Sequence, residues 1–506
     1  MAISKGYSNT SELSGGRVLL LLLLFAIGLY SFVKSGLPAF AVICLIPVVV
    51  LVIILTFRKG MFIFWTLIVV NYFLQMRDIV LPVPMSLPNE MLQIILLALA
   101  AMDVKESHFE RLANLMLGAL LVWCTYCTLE VLNDTCGIGI DVGAWFTGAR
   151  MMAYQLMYIF MVFTLYIKSP AILIRYLKVW AYLSFFAVFW VWKQKNIGFT
   201  HAEDLWIHTR GATTHIIQGG TLIRYFSVYS DAANFGIAMA STGVAFVVFG
   251  ITSKVKRLKR FFLITGAACI WGMFPSGTRT AIGCLGAGFM AYIFLSKSLK
   301  IAIPFTTFFI LAFSFLAFTT IGNGNQQIRR MRSAFDKNDA SANQRTINQQ
   351  TMKKYMDEAP WGIGIGKGGN NVPANNKFRL MSTIPPDSEY VDIWLRTGVI
   401  GITVFIVCMI VMLAGACWLV FFKIKSPSLR GIGAGLCCAF ISQQLGGYGN
   451  QVLMQFPNGL IFYGGLTIVY VLPYIESEWN EYEEKLLAEE AEKARLKEEK
   501  KRAKRV

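Results

Sequence analysis

Two arginines stand where a phosphate could use them. Arg224 precedes an apolar segment in Leu222-Ile223-Arg224-Tyr225, followed by Ser230-Asp231-Ala232-Ala233-Asn234-Phe235-Gly236; Arg279 lies in the tight turn Ser276-Gly277-Thr278-Arg279-Thr280-Ala281. A guanidinium pairs bidentately with phosphate oxygens. Each alone also reads as an interfacial arginine with a buried stem and a wet head. With Arg345 they make a membrane-level cluster suited to a lipid pyrophosphate. Two carboxylates, Asp387 and Glu389, close Pro385-Pro386-Asp387-Ser388-Glu389-Tyr390. A carboxylate within hydrogen-bond reach of a hydroxyl can take its proton; the alternative is a capping Asp and a salt-bridged Glu at a helix start. Trp361-Gly362-Ile363-Gly364-Ile365-Gly366-Lys367-Gly368-Gly369 offers successive backbone N–H groups to an anion, with Lys367 beside them. It is not a nucleotide-binding P-loop, since no Ser or Thr follows Lys367 and no strand precedes it; as a plain turn it needs no ligand.

Two other patterns carry less. His201, His208 and His215 recur at seven-residue spacing, with Glu203 or Asp204 as a second shell. Gly211 and the Thr213-Thr214 pair interrupt the helix that would align them, so a Trp-anchored interfacial segment is the better reading, and no metal is assigned. Cys124-x-x-Cys127 has metal-type spacing inside an apolar run with no second pair, and reads as small apolar packing.

The elements that hold these residues follow from composition. The chain has 506 residues, of which 56% are hydrophobic and only 15% charged, with 47 Lys+Arg against 29 Asp+Glu and a net charge of +18. Mean hydropathy is +0.55. Soluble domains carry roughly 25% charged residues, so a soluble enzyme, a disordered chain and a secreted disulfide scaffold are excluded. Apolar runs of span length also argue against nucleic acid as the partner of the positive charge. The pattern predicts an all-α polytopic membrane protein. Candidate spans lie at 18–33, 37–57, 61–76, 90–103, 112–132, 150–168, 173–192, 234–251, 261–275, 279–296, 300–321, 398–422, 430–448 and 456–474. Three are short or broken, so the expectation is 12–14 transmembrane helices. The first run is expected to stay uncleaved. Nine of the ten cysteines fall in apolar runs, and no external disulfide is expected.

Lys and Arg recur in alternate connections, which by the positive-inside rule puts both termini in the cytoplasm. A transmembrane domain then covers 1–474, with outer loops at 193–233 and 322–397. The second loop holds eleven Lys/Arg and seven Asp/Glu; that excess attracts an anion or is a solvated surface. Asp339 or Ser341 caps a helix over 342–358 with Arg345, Gln349, Met352 and Met356 on one face. Residues 475–506, with nine Lys/Arg and ten Glu, read as a charged cytoplasmic helical tail, open to an assembly partner such as a chain-length regulator.

The order of these motifs, ending in Arg345, Pro360-Trp361-Gly362-Ile363-Gly364 and Arg396-Thr397-Gly398-Val399-Ile400-Gly401, resembles the O-antigen ligase and polymerase superfamily of bacterial polysaccharide assembly. The motifs cover about 220–405. The resemblance implies a GT-C-like helical fold and an inverting, metal-independent glycosyltransferase needing no cofactor. Its donor would be a glycan on undecaprenyl pyrophosphate at the outer face of the cytoplasmic (inner) membrane. Arg224, Arg279 and Arg345 match the family arginines at the pyrophosphate. Where the family often has a His as proposed base, this chain has Asp387-Ser388, so Asp387 or Glu389 takes that role, or the base lies elsewhere. The lead expectation is a polymerase of O-antigen, capsule or exopolysaccharide. The runner-up is a ligase moving glycan to lipid A core, and a third member type transfers glycan to protein. A flippase of lipid-linked sugar, the rival from another class, would show inverted repeats and a charged midplane cavity.

Overall fold

The computed structural model describes residues 61–503 except 80–83, 85, 105–106, 218–221, 297–302, 305–306, 308–309, 312–313, 316, 325, 334–339 and 369–370. The chain divides between Thr66 and Leu67 into two units. Of the first, only Met61–Thr66 are described, and they begin the helix Phe62–Phe73.

The described chain is built of helices, with one two-residue β pair (Ile216–Ile217 with Leu222–Ile223). The spans expected at 18–33 and 37–57, and much of 300–321, lie outside the described residues, as does Asp339. Each of the other eleven coincides with helical structure. Among the described residues four helices are long and apolar enough to cross a membrane: Leu115–Leu132, Pro170–Asn196, Ala232–Thr252 and Glu389–Lys423. Gly459–Tyr474 and the helix after it, bent from it by 91°, make a fifth only if the two together form one broken span. Shorter apolar helices such as Ser86–Met102 and Arg279–Leu295 accompany them. The molecule is therefore an all-α polytopic membrane protein.

The helices that position the site are α1 (Leu115–Leu129), α2 (Ala232–Thr252), α3 (Lys256–Met273), α4 (Arg279–Leu295), α5 (Ala340–Met356), α6 (Glu389–Trp418), α7 (Pro427–Gly449) and α8 (Gly464–Val471), with the tail helix α9 (Glu476–Ala503). α2 is central and packs on α3, α4 and α7. Its glycines recur every seven residues, at Gly236, Gly243 and Gly250, on one face. A Cβ on Gly250 would meet Leu263 at 2.6 Å, one on Gly243 would meet Ile270 at 2.7 Å, and one on Gly236 would strike Ser276 Oγ. The partners rise in number as the glycines fall, so α2 and α3 run antiparallel in close contact along a small-residue seam. That seam ends by pressing the turn Ser276–Arg279 against the start of α2.

Polar contacts between distant segments sort the connections into two sets. At one end Lys254 pairs with Glu483 at 2.9 Å, Glu490 accepts from Lys256 and Arg257 N–H at the start of α3, and Glu476 accepts from Lys425 and Ser426 N–H. At the other end Thr200 donates to Asp78, Asn133 to Trp361 O, Asn376 to Cys136 O, and Ser388 to Gly447 O. Each contact joins segments that the charge pattern assigns to one side. The tail is thus not simply solvated; its first half is tied to the basic turns at its own end.

Candidate functional site

The arginines are positioned first by helix starts. Asp231 caps α2, its Oδ1 accepting from Ala233 and Asn234 N–H at 2.8 and 2.9 Å. His215 adds a second cap, Nε2 accepting from Ala232 N–H at 3.0 Å while Nδ1 meets Thr214 Oγ1 at 2.7 Å. Burial and the Arg224 charge push that imidazole down to about 4, so it sits neutral. Thr278 donates to Ala232 O at 3.0 Å and fastens the second motif to the first. Arg224 then reaches across both. Its Nε donates to Ser276 O at 3.1 Å, Nη1 to Thr214 O at 2.9 Å and Nη2 to Thr278 Oγ1 at 3.0 Å.

The field at Arg224 reveals its neighbours. Its pKa falls to about 10, through desolvation first and then through the positive charges of Arg330, Arg279 and Arg345, with Asp231 opposing. Arg279, the first residue of α4, donates to Ser333 O and Oγ at 3.2 Å. Four guanidiniums, from the end of the strand Leu222–Ile223, from α4, from the helix Gln326–Arg332 and from α5, thus act on one region. Arg224 feels the charges of both Arg279 and Arg345. Arg330, from the run Arg329-Arg330-Met331-Arg332, adds its charge at the same place. Like charges gathered in one region, with Asp231 among them, favour a polyanion.

The carboxylates sit on the far side of one turn. α6 is broken at Gly398, whose φ is +68° and ψ −171°, a left-handed conformation that glycine alone adopts without strain. Its apolar, membrane-length run starts past that break; the charged turns Glu389 to Arg396 precede it and lie outside the span. The glycine loop docks into the break: Ile363 N–H donates to Leu395 O at 2.9 Å and Gly364 N–H to Arg396 O at 3.0 Å. Gly362, with φ +77°, lies against Arg396, where a Cβ would collide with backbone. Those two N–H groups are therefore spent inside the protein rather than offered to an anion. Lys367 is buried and donates to Gly139 O at 3.0 Å, which ties the loop to the segment 133–149.

Ahead of the break, Glu389, Asp392 and Arg396 line a cavity of about 770 Å³ together with Gly366 and Gly368. Arg396 Nε and Asp392 Oδ1 pair at 2.9 Å. Glu389 is 6% exposed and accepts from Leu453 N–H at 3.1 Å. Desolvation, then the Asp392 charge, push its carboxyl up to about 7. Asp387 is half-buried in a left-handed conformation with φ +54° and is not among the residues lining that cavity. The turn after α7 joins the two halves of the site. Gly447 O holds Ser388, Asn450 Nδ2 meets Thr280 Oγ1 at 3.4 Å beside Arg279, and Leu453 N–H holds Glu389.

The histidines do not converge. His201 and His208 are exposed and His215 is buried under Trp206. Among the described residues no group of three His, Cys, Asp or Glu is arranged to hold a metal. The segment 142–148 and the turn 450–456, which line the cavity, were not foreseen, because their residues are ordinary and only the fold brings them there.

No curated protein matches the chain. Residues 264–406 match the family model described as O-antigen ligase. The match takes in Arg279, Arg330, Arg345, Glu389 and the break at Gly398, while Arg224 and the capped start of α2 lie upstream of it. The match covers little more than a quarter of the chain and supports its resemblance to the O-antigen ligase and polymerase superfamily.

Proposed function

We propose that the protein is an inverting glycosyltransferase that polymerises oligosaccharide repeat units carried on undecaprenyl pyrophosphate. It would act at the outer face of the bacterial cytoplasmic membrane, with both termini on the inner side. The observation that carries this reading is the gathering of Arg224, Arg279, Arg330 and Arg345 across a single turn from the buried Glu389. A pyrophosphate leaving group needs positive charge where its own negative charge develops, and an acceptor hydroxyl needs a base. In the reaction Glu389 takes the acceptor proton as the acceptor oxygen bonds to the anomeric carbon. The carbon–oxygen bond to pyrophosphate breaks from the opposite face, and the lipid pyrophosphate leaves with the electron pair onto the arginines. The lipid-linked donor supplies the driving force, so neither metal nor nucleoside triphosphate has a role. Asp387, beside the same turn, is the second carboxylate on which this step can be tested. Lys367 supports the loop that walls the cavity and adds positive charge behind it.

Reconstitution with a purified undecaprenyl-pyrophosphate repeat unit tests the reading. Ladder formation is expected. Transfer only after addition of lipid A core would make the protein a ligase, and no transfer with either acceptor would refute glycan transfer.

A further inference from the structure

The cavity beside Glu389 has walls that the arginine cluster does not explain. Gln75, Gln451 and Gln455 line it. They are half-buried, and among the described residues no hydrogen bond is made by their carboxamides. Behind them lies a small extension lined by Asn71 and Gln155 and sharing Met151, Met454 and Phe456 with the main cavity. Asn71 is 1% exposed and Gln155 5% exposed. Asn71 Oδ1 and Gln155 Nε2 are buried without a partner, although the opposite ends of both amides are tied through Asn89 at 2.8 and 3.0 Å.

Unpaired buried amide atoms cost free energy until something meets them. A carboxamide offers a donor and an acceptor side by side and no charge. It complements a hydroxyl, which also donates and accepts, whereas a phosphate or carboxylate oxygen can use only its N–H side. A volume of about 770 Å³ falls in the range of roughly 300–1,000 Å³ that holds a small organic ligand.

We propose that this carboxamide-lined cavity is the site of the acceptor glycan. Gln75, Gln451 and Gln455 read the uncharged hydroxyls of its terminal sugars and so present one hydroxyl to Glu389. The inference rests on the glycan-transfer reading above. It divides the substrates by chemistry: charge is read by arginines on one side of the turn 447–453, and hydroxyls by amides on the other. In the transfer step the acceptor O–H gives its proton to Glu389, the oxygen gains the new bond to the anomeric carbon, and the pyrophosphate oxygen keeps the pair from the broken bond.

The test uses the full chain in nanodiscs and two probes that do not react. One is the lipid-free, uncharged repeat-unit oligosaccharide, followed by saturation-transfer NMR; the other is farnesyl pyrophosphate. Gln455→Leu and Gln75→Leu are each expected to weaken the oligosaccharide by about three- to tenfold, the worth of one or two net hydrogen bonds. Both should leave farnesyl pyrophosphate binding unchanged. Arg279→Ala should show the reverse. Unchanged oligosaccharide binding in both glutamine variants overturns the proposal. So does loss of both probes in both variants, which would assign the glutamines to the fold. If wild-type protein binds the oligosaccharide but not farnesyl pyrophosphate, the pyrophosphate reading fails while the glycan cavity stands.

Discussion

Glu389 makes the sharpest prediction. Its carboxyl is held at about 7 by desolvation and by Asp392, so about a tenth is ionised at pH 6 and about nine-tenths at pH 8. A base acts only when ionised, so the transfer rate under saturating donor should climb roughly tenfold between those pH values and level off above them. Glu389→Gln keeps the shape and the acceptor for Leu453 N–H but removes the base. It should lower the rate by about a hundred- to ten-thousandfold and abolish the limb. A second readout has its own sign. The native carboxyl, at about 7, holds a proton that an unfolded carboxyl near 4.3 releases. Folding is therefore favoured at low pH, and about 3 kcal/mol is lost as pH rises from about 4.5 to about 7. Thermal unfolding in detergent should show this slope in wild type and lose it in Glu389→Gln. A flat rate profile together with an active Glu389→Gln enzyme would refute the assignment and move the test to Asp387→Asn.

Other expectations are simpler. Arg279→Ala and Arg330→Ala should each abolish transfer and farnesyl pyrophosphate binding with the membrane-inserted protein intact; an active Arg330→Ala enzyme would remove that residue from the site. Gly398→Ala should cripple folding, because a Cβ there meets the Pro360 carbonyl at a φ of +68°, and monodisperse protein of normal Tm would contradict the strain argument. Gly243→Leu should lower Tm by wedging α2 from α3 at Ile270, and an unchanged Tm would show that the seam relaxes freely.

Much of this was legible from residue order alone. Apolar runs of span length predict helices whatever their neighbours, and the eleven described ones are found. Arg224, Arg279 and Arg345 could be grouped because guanidiniums at membrane mouths are few and costly. The glycine loop was read for its N–H groups, yet positive φ and absent side chains serve equally to let two backbones touch. Only the pairing of Ile363 with Leu395 and of Gly364 with Arg396 decides between those uses. The glutamines of the cavity had no local signature at all. Gln75 is separated from Gln451 by most of the chain, and an isolated amide is ordinary until packing withholds its partners.

The broken helix explains why the site can sit where it does. A continuous α6 would carry Glu389, Asp392 and Arg396 on the same rod as the apolar run behind them, where ionisable groups are costly. The break at Gly398 separates the two. The glycine loop satisfies backbone carbonyls freed at the break, taking Leu395 O and Arg396 O, and Tyr126 donates to Thr397 O at 2.8 Å. The carbonyls freed at Gly398 are thus met by protein, and Arg396 beside the break lines the polar cavity. The same loop that repairs the helix also carries Gly366 and Gly368, which line the cavity with Glu389. Stability of the break and shape of the cavity are thus one structural property, and a substitution that loosens the loop should cost folding and acceptor binding together.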